Sequence, residues 1–357
     1  MKRLLALALL VPLLPGCASI GADGVRQQRL AYNLAVQNTN DQELLLNLVR
    51  LRYRDTLYFL NVERVASTLE LNRSLGLNAT LPEGAARTLA PSSSLGLNDK
   101  PTIFYTPLEG ERFARQLMKP LDTDLLLLLA NSGWSLERVF ALCLLEVNGL
   151  RNAPSASGPT PALAPEYREF REAVHALREL QRAGLVTLGL LPGSEQRLLE
   201  LRLAPGADAL PATATLRRLL RLDPALDRYT ILPGFGESDG RSIRFAPRSL
   251  LAVLSYLSQG VEAPASHQAS GLVTQTLTAE GQPFDWQQLL GGLMRIESSK
   301  RAPDNAAVAV AYRGHWYFLR DDDLDSKSTF ALISQIFSLQ AGSAAVQGAT
   351  VGFSINK

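Results

Sequence analysis

The chain has 357 residues, 46% of them hydrophobic, and a formal net charge of +2. This composition supports a buried core and excludes a chain that is disordered throughout. The length corresponds to about two domains. No basic tract is present, so we expect no nucleic-acid partner.

The first residues have the pattern of a bacterial secretion signal. Lys2-Arg3 gives a positive start, and the apolar run that follows is shorter than the roughly 20 residues of a membrane span. Leu14-Pro15-Gly16-Cys17 resembles the lipobox that signal peptidase II cuts in bacterial lipoproteins. The resemblance implies that residues 1–16 are a signal peptide. It also implies that Cys17 carries a diacylglyceryl group and an N-acyl chain such as palmitate.

The residues after Cys17 indicate to which membrane the lipoprotein is sorted and how far from that membrane its body can lie. Ala18-Ser19 stands where lipoproteins retained in the inner membrane usually carry aspartate, so the resemblance implies the periplasmic side of the outer membrane. Residues 17–24 are expected to form the lipidated cysteine and a short tether, and seven extended residues reach at most about 25 Å. We therefore expect a body that sits against the membrane, with outer-membrane lipid and an envelope protein as partners.

The segment 25–151 is expected to form an N-terminal α+β domain. Apolar spacing predicts helices at 25–37 and 41–54, and Asn40 with Glu43 resembles a capping box. Residues 65–77 then alternate apolar and polar with period two, as in a half-buried strand.

A repeated pentapeptide predicts a hairpin in this domain. Ser74-Leu75-Gly76-Leu77-Asn78 recurs as Ser94-Leu95-Gly96-Leu97-Asn98, with a loop at 81–91 between them. We interpret the two copies as antiparallel strands of a long hairpin, followed by a third strand at 102–106.

The segment 152–165 is rich in Pro, Ala and Ser and is the expected linker to a C-terminal α+β domain at 166–357. A surface loop within one body is the alternative. Alternation predicts hairpins from 185–190 with 198–203 and from 307–312 with 315–319, and a further strand at 349–355. The predicted class is α+β, with antiparallel sheets from hairpins, packed amphipathic helices and two subdomains.

The body also resembles a group of predicted bacterial lipoproteins of unknown function. The stretches that carry the resemblance are 47–54, 102–111 and 312–331. This resemblance implies no activity.

One stretch matches a nucleophile motif. Gly236-Glu237-Ser238-Asp239-Gly240 fits G-x-S-x-G, whose serine requires a strained turn between a strand and a helix. The residues after it alternate like a second strand, so Ser238 is a candidate nucleophile that we expect to lie in a hairpin loop.

Two further groups could carry chemistry. Asp321, Asp323 and Asp325 could ligate calcium, but they lack the ligand spacing of an EF-hand, and capping of the helix that follows them is the favoured interpretation. Cys143 stands in an apolar run and is expected to be a small buried residue. We expect no cofactor.

The sequence favours a lipid-anchored, periplasm-facing lipoprotein that acts without catalysis, as an assembly, scaffold or accessory subunit of an envelope complex. A lipid-anchored hydrolase using Ser238 is one alternative. A binding module for lipid or cell-wall glycan is another.

Overall fold

A computed structural model describes residues 17–80, 88–191 and 198–345. The chain divides into two compact units: a larger unit, Met1–Leu57 with Glu109–Lys357, and a hairpin unit, Tyr58–Leu108. Helices and mainly antiparallel sheets occur together, so the α+β class is confirmed. None of the helices in the described ranges is long and apolar enough to cross a membrane.

The helices follow one another in chain order. They are α1 Cys17–Arg52, α2 Gly110–Met118, α3 Thr123–Asn131, α4 Leu136–Cys143, α5 Arg168–Arg182, α6 Pro211–Leu220, α7 Leu250–Ser258, α8 Ala265–Ala269, α9 Gln287–Leu290 and α10 Leu324–Ala345.

The strands are numbered in the same way. They are β1 Leu60–Thr80, β2 Thr88–Pro107, β3 Leu144–Val147, β4 Leu150–Arg151, β5 Val186–Leu190, β6 Leu199–Leu203, β7 Arg228–Pro233, β8 Ser242–Pro247, β9 Glu297–Ser299, β10 Ala306–Tyr312 and β11 His315–Arg320.

The first helix is longer than the sequence predicted. The expected break at Asn40 is wrong, because α1 runs without interruption from Cys17 to Arg52. The Thr39 hydroxyl donates to the carbonyls of Ala35 and Val36, at 3.0 and 2.9 Å, so its side chain is satisfied inside the helix. Residues 17–24 therefore lie in a helix rather than in an extended tether.

A six-stranded sheet organises the larger unit, in the order β4-β3-β8-β7-β6-β5. The predicted hairpin of β5 with β6 is confirmed, while β7 and β8 are parallel. The segment 152–165 lies inside this unit, and β3 and β8, from either side of it, pair in one sheet. The boundaries between the two compact units therefore fall at Tyr58 and Leu108, and not in the expected linker at 152–165.

Helices pack on this sheet through apolar side chains. Phe140 of α4 meets Phe245 of β8 edge to face, with ring centroids 5.0 Å apart. In α7, Val253, Leu254 and Leu257 are fully buried. The sequence of α7 is apolar on most of its surface, which is the pattern of a helix inside a core.

A second, three-stranded sheet has the order β10-β11-β9. The predicted hairpin of β10 with β11 is confirmed, and it turns at Arg313-Gly314, where both residues have positive φ. Helix α1 packs along β10, and the Gln42 side chain donates to the Ala309 carbonyl at 3.4 Å. The strand predicted at 349–355 lies outside the described residues.

The hairpin unit consists of β1 and β2, with 21 and 20 residues. The predicted antiparallel pairing is confirmed, and Ser74 of the first pentapeptide lies opposite Ser94 of the second. The third strand expected at 102–106 is the end of β2. The residues 81–87 of the expected loop lie outside the described residues, and 88–91 belong to β2.

Candidate functional site

The Ser238 motif does not form a nucleophile elbow in the structure. It lies between β7 and β8, so a strand follows it, as predicted. The Ser238 hydroxyl accepts from the Gly240 amide at 2.9 Å and donates to the Ser242 carbonyl at 3.2 Å. Asp239 accepts three further hydrogen bonds from Arg241 and Ser242, which lower its pKa to about 2. These bonds hold the turn in shape.

The three candidate calcium ligands point to different partners. Asp323 accepts from the amide and hydroxyl of Ser326, at 3.0 and 2.6 Å, as in a helix cap. Asp321 pairs with Lys327 at 2.5 Å, and Asp325 with Arg138 at 2.6 Å. In the ranges that the structure describes, no group of three or more acidic, His or Cys side chains could hold a metal ion.

The two cysteines occupy different settings. Cys17 is the first residue of α1, and residues 14–16 of the stretch that resembles a lipobox lie outside the described residues. Cys143 is fully buried at the end of α4, and burial raises the pKa of its thiol to about 12. A thiol in this state is a poor nucleophile.

The register of the hairpin unit separates two kinds of residue. From Arg64 opposite Phe104 to Thr80 opposite Thr88, each odd-numbered residue pairs with an odd-numbered residue. Partners in an antiparallel ladder lie on the same face. One face therefore holds all seven leucines of this stretch: Leu69, Leu71, Leu75, Leu77, Leu89, Leu95 and Leu97.

The opposite face is polar over nearly its whole length. Its central positions are Thr68, Glu70, Asn72 and Ser74, paired with Lys100, Asn98, Gly96 and Ser94. The leucine face is interrupted only by Arg73 and Asp99 among charged residues. This separation makes the ladder amphipathic over residues 64–80 and 88–104.

The hairpin also has two strand edges. Among the described residues, β1 and β2 pair only with each other. About half of the backbone groups of residues 64–80 and 88–103 consequently point away from the ladder, as at any sheet edge. An isolated two-stranded hairpin is marginally stable in water.

A polar aromatic network lies in the larger unit, where the end of α1 meets α8 and β11. The Tyr53 hydroxyl lies 2.6 Å from His267 Nδ1 and 2.5 Å from the Tyr317 hydroxyl. The His267 ring also meets the His315 ring, with centroids 4.8 Å apart. Tyr53 and Tyr317 are buried, and burial raises the pKa of both.

An ion pair flanks this network. Arg313 donates to Asp55 at 2.9 Å, and its guanidinium carbon lies 5.2 Å from the centre of the Tyr53 ring. Tyr312 also donates to Asp55. Burial, followed by the charges of His315 and Arg313, lowers the pKa of His267. At Nδ1, a neutral His267 accepts a hydrogen bond from the Tyr53 hydroxyl, and the Tyr317 hydroxyl can then donate to Tyr53.

A cavity of about 370 Å³ lies beside this network in the larger unit, and Arg52, Gln259 and Trp286 are among its lining residues. Arg52 is 7% exposed, and only its Nη1 is hydrogen-bonded within the described residues, to Thr160 and Gln259 at 2.8 and 3.4 Å. Arg52 Nε and Trp286 Nε1 are sealed from solvent and have no acceptor among the described residues. Sequence reasoning missed this site, because its residues come from distant segments.

No known protein family, curated protein or solved structure matches this chain. Its function must therefore be inferred from the hairpin unit, the cavity and the lipobox-like stretch that ends at Cys17.

Proposed function

We propose that this chain is a lipid-anchored outer-membrane lipoprotein facing the periplasm. In this proposal it is a non-enzymatic assembly or scaffold subunit of an envelope complex. The lipobox-like stretch that ends at Cys17 supports the anchor.

The hairpin unit is the observation that carries the scaffold role. Its strands are about four times as long as the five or six residues typical of globular proteins. At about 3.3 Å per residue, each strand spans about 65 Å. A ladder with one leucine-rich face and two open edges suits a partner that adds a strand or covers the apolar face.

The first helix supports a spacer between the anchor and the body. Residues 29–40 of α1 are exposed apart from half-buried Tyr32 and Val36, and the buried stripe begins at Leu44. At 1.5 Å per residue, the stretch 17–43 is about 40 Å long. A helical spacer of this length revises the expectation that the body sits directly against the membrane.

Chemical crosslinking of whole envelopes, followed by purification of the tagged full-length chain, tests the proposal. Three variants accompany the natural chain. Cys17→Ser removes the attachment site, Leu75→Lys places a charge on the leucine face, and Ser74→Lys places the same charge on the polar face one residue away. Circular dichroism of each purified variant checks that it is folded.

We expect the natural chain and Ser74→Lys to recover the same envelope proteins in fixed proportion. Leu75→Lys and Cys17→Ser should lose them, because a lysine on the apolar face is costly to bury and an unanchored chain leaves the membrane. Equal recovery by Leu75→Lys and Ser74→Lys would contradict a partner on the leucine face. Recovery of lipid alone by the natural chain would contradict the scaffold role.

A further inference from the structure

We propose that the cavity beside Arg52 is a binding site for a small ligand that carries a carboxylate close to an amide group. The site lies wholly in the larger unit. It is independent of the hairpin unit and of the scaffold role.

The buried guanidinium of Arg52 is the first reason. No carboxylate among the described residues forms an ion pair with Arg52, and burial lowers its pKa to about 10, so it remains protonated at neutral pH. A buried cation without a counter-charge is costly. The Nη2 donors make no hydrogen bond within the described residues and, unlike Nε, are not sealed from solvent, so a carboxylate oxygen in the cavity could accept from them.

The aromatic lining is the second reason. The indole N–H of Trp286 is buried without an acceptor, and the Trp286 ring is 8% exposed. Phe284 lines the same cavity and meets Trp286 edge to face at 5.2 Å. The N–H itself is sealed from solvent, so a ligand seated here would pack against the rings of Trp286 and Phe284.

The amide side chains indicate the rest of the ligand. Gln275 and Gln287 line the cavity, and no side-chain hydrogen bond engages their amides within the described residues. Each amide offers a donor pair and an acceptor, which complement an amide or acetamido group.

The two carboxylates at the cavity do not neutralise Arg52. Glu262 pairs with Arg295 at 2.7 Å, and Asp285 accepts from the backbone amide of Gln287 at 2.9 Å. The volume of about 370 Å³ is within the range of small-molecule sites.

The test measures the binding of two matched pairs of probes to the full-length chain by isothermal titration calorimetry. One pair is N-acetylmuramic acid and N-acetylglucosamine, which differ by a carboxylate-bearing ether. The other is N-acetyl-alanyl-alanine and its C-terminal amide. The first pair represents a cell-wall sugar acid and the second a peptide end, so the pair that binds identifies the source.

We expect the acid of one pair to bind at least about tenfold more tightly than its neutral partner, as a charged hydrogen-bonded pair implies. Arg52→Gln should abolish this preference. Trp286→Phe should weaken binding of the acid severalfold while the preference for the acid remains. Arg151→Gln is the matched control, because Arg151 is a surface arginine outside this cavity, paired with Glu166 at 3.5 Å.

Equal binding of acid and neutral probes in both pairs would overturn the proposal, and so would the absence of any binding. Retention of the preference in a folded Arg52→Gln variant would also overturn it. Should Arg52→Gln fail to fold, Trp286→Phe decides, because unchanged affinity for the acid would exclude this cavity. The envelope crosslinking described above is unaffected by these outcomes.

Discussion

The Tyr53 hydroxyl lies 2.6 Å from Nδ1 of His267, a residue 214 positions away in the chain. Tyr53 follows α1, and His267 lies in α8, so this hydrogen bond ties the first helix to the C-terminal half of the larger unit. The bond requires an unprotonated Nδ1 if Tyr53 is its donor. This hydrogen bond therefore depends on pH.

Stability should fall as the pH drops through about 6.5. The pKa of His267 is lowered in the folded protein by burial and by the charges of His315 and Arg313. A lowered pKa means that folding favours neutral His267, so its contribution is present above the unfolded value of about 6.5 and is lost as the pH falls toward the folded value. Thermal unfolding between pH 7.5 and 5 measures this slope.

His267→Gln should unfold with a shallower dependence on pH over this range than the natural chain. His175→Asn, which replaces a histidine that is 65% exposed, should keep the natural slope. Identical slopes for His267→Gln and the natural chain would show that this network is not the source of the pH dependence.

Arg248 should be among the most destabilising positions to change. It is fully buried and donates to the carbonyls of Ala141, Leu142 and Leu144 at 2.8 to 3.1 Å. Arg248→Met would remove all three hydrogen bonds, and only the Ala141 and Leu144 carbonyls would keep a second donor, the Asn152 amide. We therefore expect a loss of at least about 3 kcal/mol in the free energy of unfolding. Urea titration measures it.

Tyr256 provides a nearby control. Its ring lies 4.1 Å from the Arg248 guanidinium carbon, and its buried hydroxyl has no hydrogen-bond partner in the described part of the chain. Tyr256→Phe should change the free energy of unfolding by less than about 1 kcal/mol, because it removes no hydrogen bond. Equal losses of unfolding free energy in Tyr256→Phe and Arg248→Met would show that the Arg248 hydrogen bonds to these three carbonyls are not the cause of the loss.

The sequence predicted the hairpin unit well because its signal is local. The apolar–polar alternation over 65–77 and the repeated pentapeptide both have the period of two that is typical of a strand. These residues pair in the ladder of β1 with β2. Its full length was not predicted, because β2 continues through Pro91 and Pro101, and proline in a strand is tolerated only where it lies at an edge. The unbroken α1 was missed for a related reason, because polar Asn38-Thr39-Asn40 resembles a cap.

The aromatic network and the cavity were beyond sequence reasoning. Tyr53 is 214 residues from His267 and 264 residues from Tyr317 in the chain, and each of the three alone fits an ordinary core or surface position. Arg52 stands in the last turn of α1, where a basic residue ordinarily suits the helix dipole. Only the fold brings it to Trp286 without a counter-charge.

Ser238→Ala should leave fold and function unchanged. The Ser238 hydroxyl bonds only within its own turn among the described residues, and the backbone there is also held by Asp239. We expect a change of less than about 1 kcal/mol in the free energy of unfolding. Unaltered recovery of envelope partners by this variant checks the functional part, and a clear loss of function would favour the hydrolase alternative.

Cys17→Ser should release the chain from the outer membrane. Acyl chains contribute about 0.8 kcal/mol per buried methylene, and several chains together make anchoring stable. Fractionation of envelopes by sucrose density measures the distribution. The same outer-membrane fraction for the variant and the natural chain would refute the anchor.

Photo-crosslinking from the hairpin unit tests directly whether a partner protein binds its leucine face. A photoreactive residue is placed in intact cells at Leu75 on the leucine face, at Ser74 on the polar face, or at Leu163, which is 66% exposed in the larger unit. We expect one discrete crosslinked protein from Leu75, much less of it from Ser74, and none from Leu163. Equal crosslinking from all three positions, or none from Leu75, would contradict a scaffold that acts through its hairpin.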